Sequence, residues 1–201
     1  MIEPLSFQHI EEVTDIHLTS WAPYEISVKL GKEYLKECFY PSIIKSEFGF
    51  GYIYIEEGKI IAYATGFRDY NKFFLEIKNN NFFRLFYIFL TRILYCKIGF
   101  SDILNIFIEH RCQRKIKYLK YHQNGLALRN EFKGTEIGRK AITSSINKVI
   151  EQFIQEGYPG CWGISDNRNI AMKKFYLRLG FKEIDSIKQF NRKQVVFEKI
   201  F

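Results

Sequence analysis

Apolar side chains recur every three or four residues in three long stretches of the chain. They do so from Phe7 to Ser20, which follows the potential cap residue Ser6, again from Glu25 to Lys45, and again from Thr135 to Gln155. Spacing of this kind places the apolar side chains on one face of a helix. The pattern therefore predicts two consecutive N-terminal helices joined by an aromatic turn, and one long helix in the second half of the chain.

Elsewhere the pattern changes to the short β-branched and aromatic runs that are typical of strands. Tyr52 to Ile55 and Ile60 to Gly66 flank the turn residue Gly58, which predicts an antiparallel hairpin. Further strands are predicted over Tyr118 to Leu128, Cys161 to Ile164, Phe181 to Ile187 and Gln194 to Lys199, and a further helix over Asn169 to Leu179. Because no repeat or linker interrupts this series, we expect a single domain over residues 1–201.

Residues 69–117 carry a dense run of Phe, Ile and Leu between two predicted strands. The run favours two or three helices that break at Asn79 to Asn81 and near Gly99, followed by a basic patch from Arg111 to Lys117. The most apolar part, Phe82 to Phe100, contains basic residues that make a bilayer-spanning helix costly. We interpret residues 69–117 as a helical insertion that serves as a lid, as a dimer surface or in acceptor binding.

The composition allows a large core but selects no partner. The 201 residues are 47% hydrophobic, and the net charge is +8. This charge is compatible with a polyanionic cofactor, a nucleic acid or an anionic membrane surface, and equally with none of them. No nucleic-acid recognition motif is present, so we expect no nucleic-acid partner.

The cysteines give no sign of a metal site or of an oxidising compartment. They form no CxxC pair, and no histidine follows or precedes them at the sequence spacing of a metal site. The four cysteines are Cys38, Cys96, Cys112 and Cys161. The N-terminus also lacks the basic and apolar regions of a signal peptide. We therefore expect reduced thiols, no bound metal and a cytoplasmic location.

One stretch, Leu126 to Ile142, constrains the function more than the rest of the chain. It passes from an apolar run through a turn holding Gly134 and Gly138 into a helical pattern, with Lys133 and Arg139 at the turn. A helix that opens in this way presents backbone N–H groups and a positive dipole end to an anion. The stretch therefore favours a phosphate site, although the same pattern fits an ordinary strand-to-helix turn.

The order of the predicted elements, together with two local motifs, resembles the GNAT acetyltransferase superfamily. Leu126-Ala127-Leu128 is similar to the strand end that precedes the acetyl-CoA pyrophosphate loop, and Lys133 to Gly138 fills the loop itself. Two positions depart from the family pattern: Lys133 replaces Arg or Gln, and Glu136 replaces the central Gly. Lys133 keeps the positive charge, and a solvent-facing Glu136 would leave its backbone N–H available to the ligand.

The second motif runs from Asn169 to Phe181. It is similar to the family signature Asn-x-x-Ala/Met-x-x-x-Tyr-x-x-x-Gly-Phe, with Asn169, Tyr176, Gly180 and Phe181 in register. In the family, the Asn contacts the pantetheine and the Tyr hydroxyl lies near the thioester sulfur.

The resemblance implies an α+β fold in which helices flank a mixed, mostly antiparallel sheet of six to seven strands. It also implies an acetyl-CoA site, and the residues that would form it are Leu126, Ala127, Leu128, Lys133, Gly134, Thr135, Glu136, Ile137, Gly138, Arg139, Asn169 and Tyr176. The activity implied is the direct transfer of an acetyl group from acetyl-CoA to the primary amine of a small molecule.

This chemistry needs an acid, an oxyanion donor and a base. We predict Tyr176 as the acid and a backbone N–H between Leu126 and Leu128 as the donor, with Leu128 favoured. His122 is the predicted base, because the period of two places it and Asn124 on the strand face of Leu126 and Leu128, and because histidine titrates near neutrality. Glu25 or a relayed water is the alternative base. A cysteine nucleophile at Cys161 is disfavoured, because the sequence shows no His-Asp partners for it.

Other functions stay open at this point. A non-catalytic acyl-CoA-binding or regulatory module would fit the Glu136 departure, and contact of Phe82 to Phe100 with a membrane surface is a less favoured alternative. Leu30 to Leu35 and the long insertion look like those of family members found with surface-polysaccharide genes, which suggests an amino-sugar acceptor. A homodimer is also compatible with the sequence.

Overall fold

The computed structural model describes residues 1–99, 102, 120–189 and 192–201. Its strands are β1 (Ile2–Pro4), β2 (Gly49–Glu56), β3 (Lys59–Asp69), β4 (Lys120–Leu128), β5 (Gly160–Asp166), β6 (Lys182–Gln189) and β7 (Arg192–Ile200). Its α-helices are α1 (Ile10–Ser20), α2 (Ile26–Tyr34), α3 (Tyr40–Lys45), α4 (Tyr70–Asn80), α5 (Phe82–Leu94), α6 (Glu136–Gln155) and α7 (Ile170–Arg178).

The strands form one seven-stranded sheet in the order β1-β2-β3-β4-β5-β7-β6. Among the described strands, β4 and β5 are parallel neighbours and every other neighbouring pair is antiparallel. The expected fold class is therefore confirmed, as a mixed and mostly antiparallel sheet flanked by helices.

The two faces of the sheet carry separate hydrophobic clusters. On one face, residues of α1 to α5 pack against the inward side chains of β2 and β3, such as Ile53, Tyr63 and Phe67. On the other face, α6 packs against Ala64, and Tyr176 of α7 joins the same cluster. Side chains alternate along β3 and so contribute to the clusters on both faces of the sheet. This strand is therefore buried along most of its length.

The predicted hairpin is confirmed as β2 and β3. Its turn holds Glu57 at φ 48° and Gly58 at φ 75°. Two successive residues with positive φ match the right-handed twist of the strands that they connect, and glycine adopts that conformation without a steric penalty.

The N-terminal helices agree with the periodicity except at Gly31. That residue has φ 82° and bends α2, and a π-helical turn over Leu35–Phe39 continues the chain into α3. The three-residue strand β1 was not predicted, because it is too short to show a period.

The insertion has the helical character that was predicted, in α4 and α5. Asn81 separates them, since α4 ends at Asn80 and α5 begins at Phe82. The predicted basic patch from Arg111 to Lys117, and Cys112 within it, lie outside the described residues.

Candidate functional site

Strands β4 and β5, in the middle of the sheet, are paired over only a short part of their length. They pair at His122 with Trp162 and at Gln123 with Gly163, and beyond these residues their registered pairing ends. β5 remains paired with β7 as far as Asp166. The two central strands therefore diverge toward their carboxyl ends and open a gap beside Leu126 to Leu128. We call it the β4–β5 gap.

A bulge in β4 lies at the start of the gap. Gly66 pairs with Gln123, but Ala64 pairs with Leu126, so β4 contains one residue more than β3 over this interval. The N–H of Gly125 donates to the Thr65 hydroxyl at 2.9 Å within the bulge. An extra residue reverses the alternation of side chains along the strand.

The prediction that His122 shares a face with Leu126 and Leu128 is therefore wrong. Gln123 shares that face, because it pairs with Gly66 while Leu126 pairs with Ala64, which lies on the same face of β3. His122 pairs with Phe67 and lies on the opposite face, where the N-terminal helices pack.

The backbone of β4 presents N–H groups to the β4–β5 gap. The N–H of Arg129 donates to the carbonyl of Ile61 on β3 at 2.9 Å. Since antiparallel hydrogen bonding alternates, the N–H of Ala127 also points to β3, and those of Leu126 and Leu128 point the other way. Both Leu126 and Leu128 thus direct an N–H at the gap. The sequence alone could not show which N–H groups of β4 have this direction.

Tyr176 stands where the two strands diverge. Its side chain is 2% exposed and its ring stacks on Phe197 with centroids 4.9 Å apart. Its hydroxyl donates to the side-chain carbonyl of Gln123. A Cβ atom on Gly163 would lie 2.9 Å from the hydroxyl, so the missing side chain there makes room for it.

Burial raises the pKa of the Tyr176 hydroxyl well above its ordinary value. The phenol is consequently protonated at neutral pH and available as a hydrogen-bond donor.

His122 is an uncharged, buried imidazole. It is 5% exposed, and its Nδ1 atom is buried without a hydrogen-bond partner in the described structure. Burial lowers the pKa of His122 to about 4. The expectation that it titrates near neutrality is therefore wrong, although a neutral imidazole can still accept a proton.

The glycine-bearing loop is held against β4 by a tight contact at Gly138. A Cβ atom at this position would lie 2.0 Å from the Phe132 carbonyl oxygen and 3.0 Å from a Leu128 methyl carbon. Only glycine fits there, and its absence of a side chain brings the start of α6 to the end of β4. Gly134, at φ 82°, turns the chain at an open position.

Thr135 caps α6. Its hydroxyl accepts from the Gly138 N–H at 3.0 Å and donates to the Phe132 carbonyl at 2.8 Å. The N–H groups of Glu136 and Ile137, in the first turn, have no acceptor within the helix. This is the arrangement in which a helix N-terminus receives an anion.

The charged side chains of the loop face solvent. Lys133, Glu136 and Arg139 are all exposed. The ion pairs between described residues include none of them. The two cations are thus available to an anion, and the Glu136 carboxylate can point away from it.

Asn169 is the N-cap of α7, where its side-chain oxygen accepts from the Met172 N–H at 3.1 Å. Tyr176 follows on the same helix at i+7, two turns later, so both residues lie on one helical face. The structure thereby gives Asn169 a capping role that the sequence motif did not indicate.

The connection between α1 and α2 crosses the carboxyl ends of the diverging strands. The Ser20 hydroxyl donates to the Leu128 carbonyl at 2.7 Å. On the far side, Arg192 of β7 donates to Glu25 at 2.9 Å and to Asp166 of β5 at 3.4 Å. Residues 20–25 therefore reach from β4 to β5, and the Glu25 carboxylate, an alternative base, is engaged by Arg192.

Two further expectations concern nucleophiles and metals. Burial raises the pKa of Cys161 to about 12, which disfavours the thiolate that a cysteine nucleophile requires. Among the described residues, no three His, Cys, Asp or Glu side chains come together as a metal-binding group.

The structure thus gathers most of the predicted residues around one gap, but Gln123 and Arg192 were missed. Gln123 is revealed only by the bulge, for which Asn124-Gly125 inside a strand was the available signal. Arg192 meets Glu25 across a separation of 167 residues, for which the sequence offers no signal.

Comparisons with known proteins place the fold. No protein-family model matches the chain, and no curated protein matches it. Among solved structures, an N-acetyltransferase from Staphylococcus aureus Mu50 superposes with a TM-score of 0.60 at 12% identity, over 100% of this chain and 97% of that one. The PaiA N-acetyltransferase from Thermoplasma acidophilum, in complex with coenzyme A, gives a TM-score of 0.56 at 14% identity, over 100% and 99%.

A third structure, assigned to the GNAT family of acetyltransferases and taken from Desulfovibrio desulfuricans, gives a TM-score of 0.58 at 9% identity, over 100% and 99% of the two chains. The likeness extends over the whole of each chain, whereas the identities are too low to speak for more than architecture. The chain has the fold of the GNAT acetyltransferases.

Proposed function

We propose that this protein is an acetyl-CoA-dependent N-acetyltransferase that acts on the primary amine of a small molecule. The observation that carries the proposal is the β4–β5 gap, with the Tyr176 hydroxyl where the strands diverge and the capped N-terminus of α6 at its open end. The shared fold supports the reaction class, and the coenzyme A in the Thermoplasma acidophilum structure supports the donor.

In this proposal the pyrophosphate of acetyl-CoA lies against the first turn of α6. The N–H groups of Glu136 and Ile137 would receive its oxygens, and Lys133 and Arg139 would balance its charge. The pantetheine would then run along the gap beside Leu126 to Leu128, with α7 and Asn169 on its other side. This path places the thioester near Tyr176.

The acetyl transfer follows from groups at the gap. An N–H of Leu126 or Leu128 donates to the thioester carbonyl oxygen, and the acceptor nitrogen attacks the carbonyl carbon. The carbon–sulfur bond then breaks, and the sulfur leaves with the electron pair. Tyr176 donates its proton to that sulfur, because its raised pKa keeps the phenol protonated until charge develops. The nitrogen releases a proton as the amide forms, and this proton returns the Tyr176 phenolate to the phenol.

The acceptor ammonium must lose a proton before it attacks. His122 remains our predicted base, acting with its neutral imidazole and its unpartnered Nδ1. Its pKa of about 4 makes it a weaker base than the sequence suggested, and its position on the opposite face of β4 requires a water to relay the proton. The reaction is expected in the cytoplasm, and the amino sugars suggested by Leu30 to Leu35 are the first acceptors to test.

A second candidate function is acyl-CoA binding without catalysis. The exposed Glu136 at the first turn of α6 is the observation that favours it, because this residue departs from the glycine of the acetyltransferase loop pattern. In that case the Tyr176 hydroxyl would serve only the packing of α7 through its bond to Gln123.

Turnover distinguishes the two functions. The purified protein is incubated with acetyl-CoA and a panel of amines that includes amino sugars, polyamines and amino acids, and free thiol is measured over time. We expect amine-dependent thiol release with at least one acceptor class. Binding of acetyl-CoA in a calorimeter, with no thiol release for any amine, would favour the binding function instead.

A further inference from the structure

The helix α5 shows an apolar face to solvent. Its exposed apolar side chains are between 41% and 85% accessible and lie on one side of the helix, and they are Phe82, Phe83, Phe86, Tyr87, Leu90, Ile93 and Leu94. We call these seven residues the α5 stripe. On the opposite side, Ile88 is buried in the core with the N-terminal helices.

The two arginines of α5 pair with acidic residues of the N-terminal helical region. The Arg92 guanidinium donates to the Leu30 carbonyl at 2.9 Å and pairs with Glu33. Arg84 pairs with Glu37 at 3.1 Å. Both arginines of α5 are thus paired, although the Arg84 side chain is 55% exposed and the Glu33 side chain is 58% exposed, and the aromatic residues of the stripe face outward.

Gly31 makes room for the contact of Arg92 with α2. Its positive φ bends α2, and a Cβ atom at that position would lie 2.6 Å from the Arg92 guanidinium. The bend and the missing side chain open the space that Arg92 occupies.

A surface helix ordinarily turns its apolar face to the core and its charges to water. Besides the apolar side that it packs into the core, α5 has a second apolar side in water, the α5 stripe, and the size of this stripe sets it apart from scattered exposed residues. Each aromatic side chain can bury roughly 150–250 Å², so the four aromatics of the stripe together expose several hundred Å². Exposed apolar patches of about 300–600 Å² and above on a soluble protein mark interaction sites.

The shape of the stripe suits the surface of a bilayer better than its interior. The helix has 13 residues, which corresponds to about 20 Å at 1.5 Å per residue, shorter than the ~30 Å hydrocarbon core of a bilayer. None of the helices in the described part of the chain meets the length and hydropathy needed to cross a membrane. A helix of this length with one outward apolar face can lie in the plane of the interface.

The charge decides between a lipid surface and a second copy of the chain. Each copy has a net charge of +8, so two copies would repel each other as they approached. Exposed lysines also lie close to both ends of α5, with Lys78 just before it and Lys97 just after it. Basic residues beside an aromatic face complement the headgroups of anionic lipids.

We propose that the α5 stripe docks this protein onto the surface of an anionic lipid bilayer. Phe83, Phe86 and Leu94 enter the boundary between headgroups and acyl chains, while the flanking lysines contact the headgroups. The docking surface belongs to the insertion and stands on different residues from the β4–β5 gap, so it holds whether or not the protein is an acetyltransferase.

Vesicle flotation tests the proposal. The full chain is floated with vesicles of phosphatidylcholine containing either no phosphatidylglycerol or a substantial fraction of it, at low and high KCl. We expect flotation with the anionic vesicles, weaker flotation at high salt because screening shortens the reach of the lysines, and at least a tenfold loss of partitioning in the variant F83Q/L94Q. The variant I154Q/I200Q is the matched control, since it removes two exposed apolar side chains from other elements and should float like the parent.

Two further measurements accompany the flotation. Far-UV circular dichroism and acetyl-CoA binding of F83Q/L94Q should equal those of the parent, which separates a lost docking surface from a lost fold or a lost active site. Light scattering at matched concentrations reports the oligomeric state. The proposal is overturned if the parent fails to float with anionic vesicles at low salt, if both variants float equally, or if the parent is a dimer that F83Q/L94Q converts to a monomer.

Discussion

The Tyr176 hydroxyl has one partner within the described structure, the side-chain carbonyl of Gln123, and the two residues reach each other from different elements. Gln123 is 1% exposed, so its amide has no access to bulk water that could replace the bond. The pair therefore fixes the direction of the phenolic proton. In the proposed reaction, that proton must turn from Gln123 to the leaving sulfur.

The substitution Tyr176→Phe tests this role. The phenylalanine ring fills the same space against Phe197, so acetyl-CoA affinity should change little, while kcat should fall by roughly 10²–10⁴-fold. Stability should fall by about 1 kcal/mol, since the Gln123 carbonyl loses its donor. The control is Tyr52→Phe, which removes a hydroxyl that bonds Gln152 away from the gap and should leave kcat unchanged.

An unchanged kcat in Tyr176→Phe would mean that the hydroxyl serves packing alone. Thiol release during single turnovers, with the enzyme in excess over acetyl-CoA and the amine saturating, is the appropriate measurement, because it reports the transfer step without product release.

Two glycines of the loop, Gly138 and Gly134, allow a graded test of how tightly the loop packs. Alanine at Gly138 would place its Cβ 2.0 Å from the Phe132 carbonyl oxygen, whereas alanine at Gly134 would meet nothing within 4 Å and would only occupy an unfavourable positive φ. We expect Gly138→Ala to lower the free energy of unfolding by at least about 2 kcal/mol and to weaken acetyl-CoA binding. Gly134→Ala should cost only about 1 kcal/mol. Urea unfolding and calorimetric titration measure both; equal effects of the two substitutions would contradict the tight contact.

Among the helices, α6 carries the proposed anion site at its N-terminus. Thr135, the N-cap residue, keeps the first turn of this helix ordered. The substitution Thr135→Ala removes the acceptor for the Gly138 N–H and should lower the free energy of unfolding by about 1 kcal/mol. Acetyl-CoA affinity should fall with it, because the first turn frays.

Two ligands show whether Thr135→Ala acts through the pyrophosphate: dephospho-CoA, which contains the pyrophosphate, and a pantetheine thioester, which lacks it. Affinity for the pantetheine thioester should be equal in the parent and in Thr135→Ala, while affinity for the pyrophosphate-containing ligands should differ. The control Thr143→Ala lies within the same helix, away from the cap, and should behave like the parent. If both ligand classes weakened equally, the pyrophosphate would have to lie elsewhere.

Periodicity along the chain could predict most elements but not the geometry of β4. The helices and the β2–β3 hairpin follow from local patterns, because the faces they bury repeat at fixed intervals. A bulge adds a single residue and becomes visible only in the pairing with a neighbouring strand. That residue moved His122 to the opposite face from Leu126 and brought Gln123 to Tyr176. The loop motif, in contrast, could be predicted, since Gly138 and Thr135 act on neighbours in sequence.

On the scale of the whole molecule, contacts between distant parts of the chain close the site. Arg192 of β7 is bound by Glu25 and Asp166, and Arg168 and Arg192 together lower the pKa of Asp166 to about 2. These residues come from the α1–α2 connection and from the carboxyl-terminal strands, so neither a motif nor a period could join them. The contact of Arg92 of α5 with α2 belongs to the same scale, because it occupies the space left by the bend and the missing side chain at Gly31.

Two buried histidines predict how stability depends on pH. Burial lowers the pKa of His17 to about 3 and that of His122 to about 4, and the Nδ1 atom of His17 lies 2.8 Å from the Tyr40 hydroxyl and 2.9 Å from the Tyr63 hydroxyl. In the unfolded chain both histidines bind a proton near pH 6.5. Below that pH the unfolded state holds more protons, so the free energy of unfolding falls as pH decreases.

Each buried histidine should contribute a slope of about 1 kcal/mol per pH unit, for His122 down to about pH 4 and for His17 down to about pH 3. Urea unfolding between pH 7 and pH 5 measures the combined slope, and the variant His17→Asn should show a slope smaller by about one proton. The absolute stability of that variant will be lower, but the slope is the deciding quantity. A pH-independent free energy of unfolding across this range would show that the histidines titrate in the folded state as they do in the unfolded chain.

A crystal structure of the full chain soaked with acetyl-CoA tests the proposed donor site most directly. We predict that the pyrophosphate lies against the first turn of α6 between Lys133 and Arg139. We also predict that the pantetheine occupies the β4–β5 gap, with the thioester carbonyl accepting from the N–H of Leu126 or Leu128 and the sulfur within hydrogen-bond distance of the Tyr176 hydroxyl. Acetyl-CoA bound at any other surface, or a thioester remote from Tyr176, would contradict the proposed site.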